Sequence, residues 1–202
     1  NSDIIADAVL LAYLREQTGK GEDATVKDLR SANLKEIVVP ADVHDLKGLK
    51  YARNMTSLDL SQCKAVEIGE EGFDGCASLQ EVKLPDSINR IGKNAFNGCT
   101  SLESINLSNI DYFGDSAFGT CGALTNDSIA SMKTTVKEMG SAVFSGCKSI
   151  TEAKVPVITG EYAHMVPAQM FNDCEKLANV IFCDDKYSGS GVCCHRSTYF
   201  WK

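Results

Sequence analysis

The sequence predicts an α/β solenoid, in which stacked coils of about 22 residues put a parallel β-sheet on one face. Short helical or irregular returns lie on the other face. Two observations carry this reading. A Phe-x-x-Cys element recurs at Phe73/Cys76, Phe96/Cys99, Phe118/Cys121, Phe144/Cys147 and Phe171/Cys174, in steps of 23, 22, 26 and 27 residues. Around it run apolar columns at constant offsets. Leu79, Leu102, Leu124, Ile150 and Leu177 each follow their Cys by three residues. Strand-type positions come next at Val82/Leu84, Ile105/Leu107, Asp127/Ile129, Ala153/Val155 and Val180/Phe182.

In L-x-x-L-x-L the last two apolar residues alternate with polar ones, the period-2 signature of a strand with one buried face. Two earlier units, Leu34–Val39 and Met55–Cys63, share this spacing without the Phe-Cys element. Seven coils are therefore expected, starting near Leu34, Met55, Leu79, Leu102, Leu124, Ile150 and Leu177. Seven strands at ~4.8 Å would make a sheet roughly 29 Å long. Five residues before each Phe stands another apolar residue, Ile68, Ile91, Phe113, Met139 or Val166. The first four are followed by Gly69, Gly92, Gly114 and Gly140, which suit a tight bend with positive φ. Pro167 replaces that glycine in the last such coil and Asp173 precedes its Cys, so the stack should become irregular towards its end. Asp127 occupies an inward aliphatic position, and Ala130–Thr135 lengthens that coil. Local distortion, or an Asp bonded to backbone amides, is expected there.

The two ends depart from the period. Ile4, Ile5, Ala8, Val9, Leu11, Ala12 and Leu14 share a helical stripe, with Ser2 or Asp3 as N-cap and Gly19 and Gly21 as the stop. Thr25 caps a second short helix. Residues 1–33 are read as a cap over the first coil's open apolar edge, with an amphipathic membrane or partner helix as the alternative. The solenoid spans 34–183. Residues 184–202 form a C-terminal tail, which either folds back as a cap on Phe182 or begins a further structure.

Composition narrows the function classes. The chain has 202 residues, 44% of them hydrophobic, and a formal charge of −7. The apolar fraction suits a packed core, and an acidic balance without a basic block argues against nucleic acid as partner. No apolar run approaches the roughly 18 residues of a membrane span. The chain opens on Asn1 and not on Met, so it reads as processed or truncated, and the absence of a signal peptide says nothing of where it lives.

Nine cysteines would suggest a disulfide framework in an exported protein. Five of them share one repeat column, however, where Cys packs as a small hydrophobe, so these are expected free, buried and inert. Cys63 stands just past its strand. Cys183 lies near enough in sequence to bridge Cys193 or Cys194. A zinc set of Cys183, Cys193, Cys194 and His195 lacks the two-residue gap that lets neighbouring ligands converge. His164, near Glu161 and Tyr162, has no nucleophile beside it, and His44 reads as a solvated turn residue. Neither a catalytic constellation nor a cofactor or metal motif is found, so the chain is read as no enzyme.

The segment I-x-x-I-G-x-x-A-F-x-G-C-x-S-L-x-x-I-x-L, standing here as Ile88–Leu107, resembles the BspA-like leucine-rich repeat of bacterial surface proteins. The likeness covers about residues 55–183, and Leu46–Cys63 is more similar to the entry repeats of internalin-like proteins. The resemblance implies a right-handed solenoid, cell-surface or secreted, that binds host or extracellular proteins or glycans. A non-catalytic module for protein–protein interaction or adhesion is thus expected, with a structural spacer or stalk as the alternative, and a monomer without cofactors. The face available for contact is the outward side of the sheet. One column there reads Glu36, Ser57, Glu81, Ser104, Asn126, Glu152, Asn179; the other reads Val38, Asp59, Lys83, Asn106, Ser128, Lys154, Ile181. The candidate ligand-binding residues are Glu81, Lys83, Ser104, Asn106, Glu152, Lys154 and Asn179. Few aromatic anchors stand among them, so binding there should be weak, polar or multivalent.

Overall fold

The computed structural model describes residues 5–161, 163 and 166–183, and the backbone alone of 195–196. Two helices open the chain, α1 (Ala8–Gln17) and α2 (Val26–Ser31). Strands β1 (Glu36–Val38), β2 (Ser57–Asp59), β3 (Glu67–Ile68), β4 (Glu81–Lys83), β5 (Arg90–Ile91), β6 (Ser104–Ile105) and β7 (Tyr112–Phe113) follow. After helix α3 (Asn126–Ala130) come β8 (Thr135–Val136), β9 (Glu138–Met139), β10 (Glu152–Val155), β11 (Val157–Ile158), β12 (Asn179–Phe182) and β13 (His195–Arg196).

Strands β1, β2, β4 and β6 form one parallel sheet, and β10 pairs β12 in parallel beyond it. The alternation read from sequence is realised: Ile37, Leu58, Val82 and Ile105 are buried while their flanking residues face out. Seven coil starts delimit about six full turns of this parallel-strand solenoid.

A second parallel sheet was not foreseen. It joins β3, β5, β7 and β9 at the columns read as bends. Ile68, Ile91, Phe113 and Met139 point into the core, and Glu67, Arg90, Tyr112 and Glu138 lie beside them in register on the outer side. The glycines after these strands serve a purpose other than the expected one. Gly92 has no positive φ; a Cβ there would come within 2.7 Å of Glu70 N in the preceding coil. Gly114 meets Lys93 N and Gly140 meets Asp115 N in the same way. At these three positions glycine is required because neighbouring backbones approach too closely for a side chain, whereas Gly69 in the first of these coils has open space around it. Positive φ falls instead two residues before and after each Phe, as at Asn94 and Gly98. The ladder bonds from Gly92 N to Ile68 O, Gly114 N to Ile91 O and Gly140 N to Phe113 O end there, because Pro167 has no N–H to offer Met139.

The return side consists of turns tied coil to coil. Phe73, Phe96 and Phe118 N–H groups donate to Ala95, Ala117 and Val143 carbonyls of the next coil at 2.7–2.9 Å. Their rings stack into a column with Phe144 and Phe171, centroids 5.3–5.9 Å apart. Offset stacking of this kind adds about 0.5–1.5 kcal/mol per pair beyond burial.

Coil five corrects the sequence expectation of seven strands in an unbroken sheet. Helix α3 stands where a strand was predicted, Asp127 is exposed, and Ser128 is buried instead of lying in the outward column. The sheet near 29 Å long is thereby split into a four-stranded part and the β10–β12 part.

At the N-terminal end the helical cap forms with a different start. Asp7, not Ser2 or Asp3, caps α1 by accepting from Leu10 N. The buried stripe is Leu10 and Leu14 with Ile5, while Ala8, Val9 and Ala12 are exposed. Thr25 caps α2 as expected, in a reciprocal capping box with Asp28. At the other end β13 pairs antiparallel with β12. The remaining calls on 184–202 lie outside the described residues.

Candidate functional site

The outward columns are aligned by the strand register. Glu36, Ser57, Glu81 and Ser104 stand side by side, as do Val38, Asp59 and Lys83. Beyond α3, Glu152 pairs with Asn179 and Lys154 with Ile181. The seven candidate residues thus fall into two groups, Glu81, Lys83, Ser104 and Asn106 before α3, and Glu152, Lys154 and Asn179 after it. One missing strand puts Ser104 and Glu152 roughly 10 Å apart, two strand spacings.

Not every outward side chain is equally available. Asp59 Oδ1 accepts from Ser61 N at 2.9 Å, and the Ser61 hydroxyl and amide, helped by Lys83, hold its carboxyl below the ordinary range. Asn106 Oδ1 accepts from Ser108 N in the same kind of turn, leaving its Nδ2 to face outward. Beside α3 an open notch is lined by Thr125, Asn126, Asp127, Ser149 and Thr151. Its groups largely satisfy one another: Asn126 Nδ2 donates to Thr151 Oγ1, and Thr151 N donates back to Asn126 Oδ1.

An aromatic and cationic cluster on the second sheet escaped the sequence reading. The Arg90 guanidinium lies 4.1 Å from the Tyr112 ring centroid, and Lys137 Nζ 5.5 Å from it. Asp111 binds Lys133 at 2.6 Å beside them. The signal was present, since Glu67, Arg90, Tyr112 and Glu138 each precede the apolar residue before the repeat glycine. Reading those pairs as bends concealed a second sheet.

The cysteine column is a ladder of thiol donors. Cys99, Cys121, Cys147 and Cys174 Sγ donate to the carbonyls of Phe73, Phe96, Phe118 and Phe144 at 3.1–3.4 Å. Burial pushes the thiols of Cys76 and Cys174 up to about 11, and those of Cys99, Cys121 and Cys147 higher still. As expected these five are unbridged, and such neutral thiols are poor nucleophiles. Cys63 is buried, and so is Cys183. Cys193, Cys194, Tyr162 and His164, with the His195 side chain, lie outside the described residues. His44 is exposed, as read. Among the described residues no three His, Cys, Asp or Glu side chains are grouped to hold a metal, and no helix is long and apolar enough to cross a membrane.

Stacked parallel strands, an apolar interior repeated coil by coil and columns of phenylalanine and cysteine at one offset define the chain as a leucine-rich-repeat solenoid. The model of the BspA type leucine-rich repeat region matches residues 47–178 in six copies, and the chain belongs to that family. Among solved structures it is similar to the leucine-rich-repeat protein of T. pallidum, with 27% identity over 72% of this chain and 57% of that one at a TM-score of 0.51. A leucine-rich-repeat protein from Bacteroides ovatus shows 24% identity over 73% of this chain and 45% of its own, at 0.48. An internalin, InlF, from Listeria monocytogenes shows 15% over 76% and 50%, at 0.49. The chain therefore spans about half the length of these solved relatives. A comparison with curated proteins finds no match. Proteins of this repeat class generally serve as protein-interaction scaffolds and are generally non-catalytic.

Proposed function

We propose that the chain is a non-catalytic interaction module of a bacterial surface or secreted protein, monomeric, with its outward sheet columns as the contact face for extracellular protein or glycan. One observation supports this most. The inward residues of the strands close the core, while Glu81, Lys83, Glu152 and Lys154 point outward and take part in no ion pair among the described residues. A rigid scaffold thus displays charges at fixed spacing, of which Lys83 alone is partly engaged, through the Asp59 carboxylate beside it in register. Ser104, Asn106 and Asn179 add hydrogen-bonding groups between them. The break at α3 makes two separate patches, and two weak polar contacts on one rigid body favour a multivalent or extended partner.

The quadruple variant E81K/K83E/E152K/K154E tests this against immobilised extracellular proteins and a glycan array. Binding by the parent chain, lost in the variant at unchanged melting temperature, is the expected result. A partner retained by the variant sinks the proposal. The spacer or stalk reading is favoured by a different observation: neither column holds a Tyr, Trp or Arg anchor. It is the conclusion to adopt if the parent chain shows no saturable ligand and exchanging whole coils leaves function intact.

A further inference from the structure

The return side carries the one Asn-Gly pair in the sequence, Asn97–Gly98. In an unfolded chain this pair is chemically labile, because glycine has no side chain to hinder its amide nitrogen from reaching the Asn carboxamide. In the fold both reacting groups are engaged. Asn97 Nδ2 donates to Asp74 Oδ1 at 2.9 Å, and its Oδ1 lies so near Gly119 that a Cβ there would come within 2.6 Å of it. Gly98 N donates to Gly119 O at 2.8 Å and to Thr120 Oγ1 at 3.1 Å. On the other side Asn97 O accepts from Gly75 N at 2.8 Å. Asn97 is therefore clamped between the coil before it and the coil after it.

We infer that Asn97 is a deamidation site closed by folding and opened by unfolding, so that time spent unfolded is recorded as a covalent change that hinders the stack from closing again. In the opened coil, Gly98 N attacks Asn97 Cγ and forms the C–N bond of a five-membered succinimide. The Cγ–Nδ2 bond breaks, and Nδ2 leaves as ammonia with the proton lost by the Gly98 amide. Water then adds to one imide carbonyl. Cleavage of the Cγ–N bond yields aspartate at position 97, and cleavage at the main-chain carbonyl yields isoaspartate.

Either product is wrong for this site. Aspartate removes the donor that Asp74 accepts and sets two carboxyl groups, both acceptors when ionised, at hydrogen-bond distance. Isoaspartate routes the chain through Cβ and Cγ, which inserts a methylene between the Phe96 N to Ala117 O rung and the peptide group that bonds Gly75 N and Gly119 O, so the rungs on the two sides cannot all close in register.

The test incubates the chain in mildly alkaline buffer, native and in guanidinium chloride, and follows position 97 by peptide mass spectrometry. Native protein should deamidate on the order of tenfold or more slowly, since reaction requires the coil to open. Molecules changed at 97 should not regain the parent melting temperature on refolding. Equal rates in the two states would overturn the inference. The lesion is also made directly as N97D, which should melt lower than the parent at neutral pH and recover in D74N/N97D. An N97D chain with the parent melting temperature overturns it, and so does failure of D74N/N97D to improve on N97D. If N97D does not fold, folding of the double variant supports the inference.

Discussion

Ser128 Oγ accepts the backbone N–H of Ile105 at 3.1 Å, taking the place of a strand carbonyl. One helical turn later Ser131 Oγ accepts from Leu107 N at 2.8 Å. Ser128 on α3 and Ser131 at its C-cap meet alternate amides of the strand edge beside them, and Asn126 Oδ1 meets Thr151 N on the other side. A helix can interrupt a parallel sheet here because its side chains supply the acceptors that the missing backbone would have offered.

Removing those hydroxyls should therefore destabilise the whole stack. Ser128→Ala leaves the buried Ile105 amide without its acceptor, at a cost of about 1–3 kcal/mol. Ser131→Ala should cost less, because Ser131 is only half-buried. Urea midpoints measure both, and a Ser128→Ala midpoint equal to the parent's would show that α3 is not tied in this way.

Glycine substitutions separate close approach from backbone conformation. Gly114→Ala puts a methyl into Lys93 of the preceding coil and should cost about 3 kcal/mol or more, since backbone on both sides must shift. Gly19→Ala has φ +69° but open space around it, and should cost only about 1 kcal/mol. Thermal melts of the pair should keep that order.

The phenylalanine column should be strongest in mid-stack. Phe96 packs between two rings and is fully buried, so Phe96→Ala should cost about 3–5 kcal/mol. Phe171 touches a ring on one side and is half-buried, so its alanine variant should lose distinctly less. Equal losses would mean that the last coil is as enclosed as the middle ones.

Alkaline pH should loosen the stack before neutral pH does. A thiol raised by burial is still protonated when the unfolded thiol, near 9.0, has begun to ionise. Above that value the unfolded state binds fewer protons, so stability falls as pH rises from about 9 through the folded values. Cys121→Ala should flatten the slope of stability against pH in that window. A thiol reagent should likewise act slowly on native protein and reach about six more thiols among the described residues after denaturation, because Cys63 and Cys183 are buried with Cys76, Cys99, Cys121 and Cys147.

At low pH the cap should give way early. Burial raises the Asp7 carboxyl, but the amides of His44, Leu10 and Asp45 outweigh it and hold the group below its ordinary 3.8. Its contribution is present above the unfolded value and is lost as pH falls through the folded one. Asp7→Ala should remove the N-cap and the tie to the 44–45 loop together, at a cost of about 1–2 kcal/mol, read as earlier melting of α1 by hydrogen exchange.

Much of this architecture was legible residue by residue. Leu58, Val82 and Ile105 declared their inward face by alternation, Thr25 declared its cap, and the Phe-x-x-Cys column announced the coil period. The N-cap at Asp7 was less visible, because its choice over Ser2 and Asp3 depends on the 44–45 loop folding back from 37 residues away. For the contact face, the columns were readable but their continuity was not. Ser128 occupied an outward position by count, and only its bonds to Ile105 and Glu103 place it inside.

Local periodicity alone determined that the chain stacks coils, which residues enter the core and that the column thiols from Cys76 to Cys147 are buried, because each depends on side-chain hydrophobicity at a constant offset; Cys174, in the last coil, is only half-buried. The second sheet, the reason for its glycines, the helix in coil five and the clamp on Asn97 were decided only in three dimensions. Each rests on distances between backbones of neighbouring coils, and those distances exist only after the stack has closed.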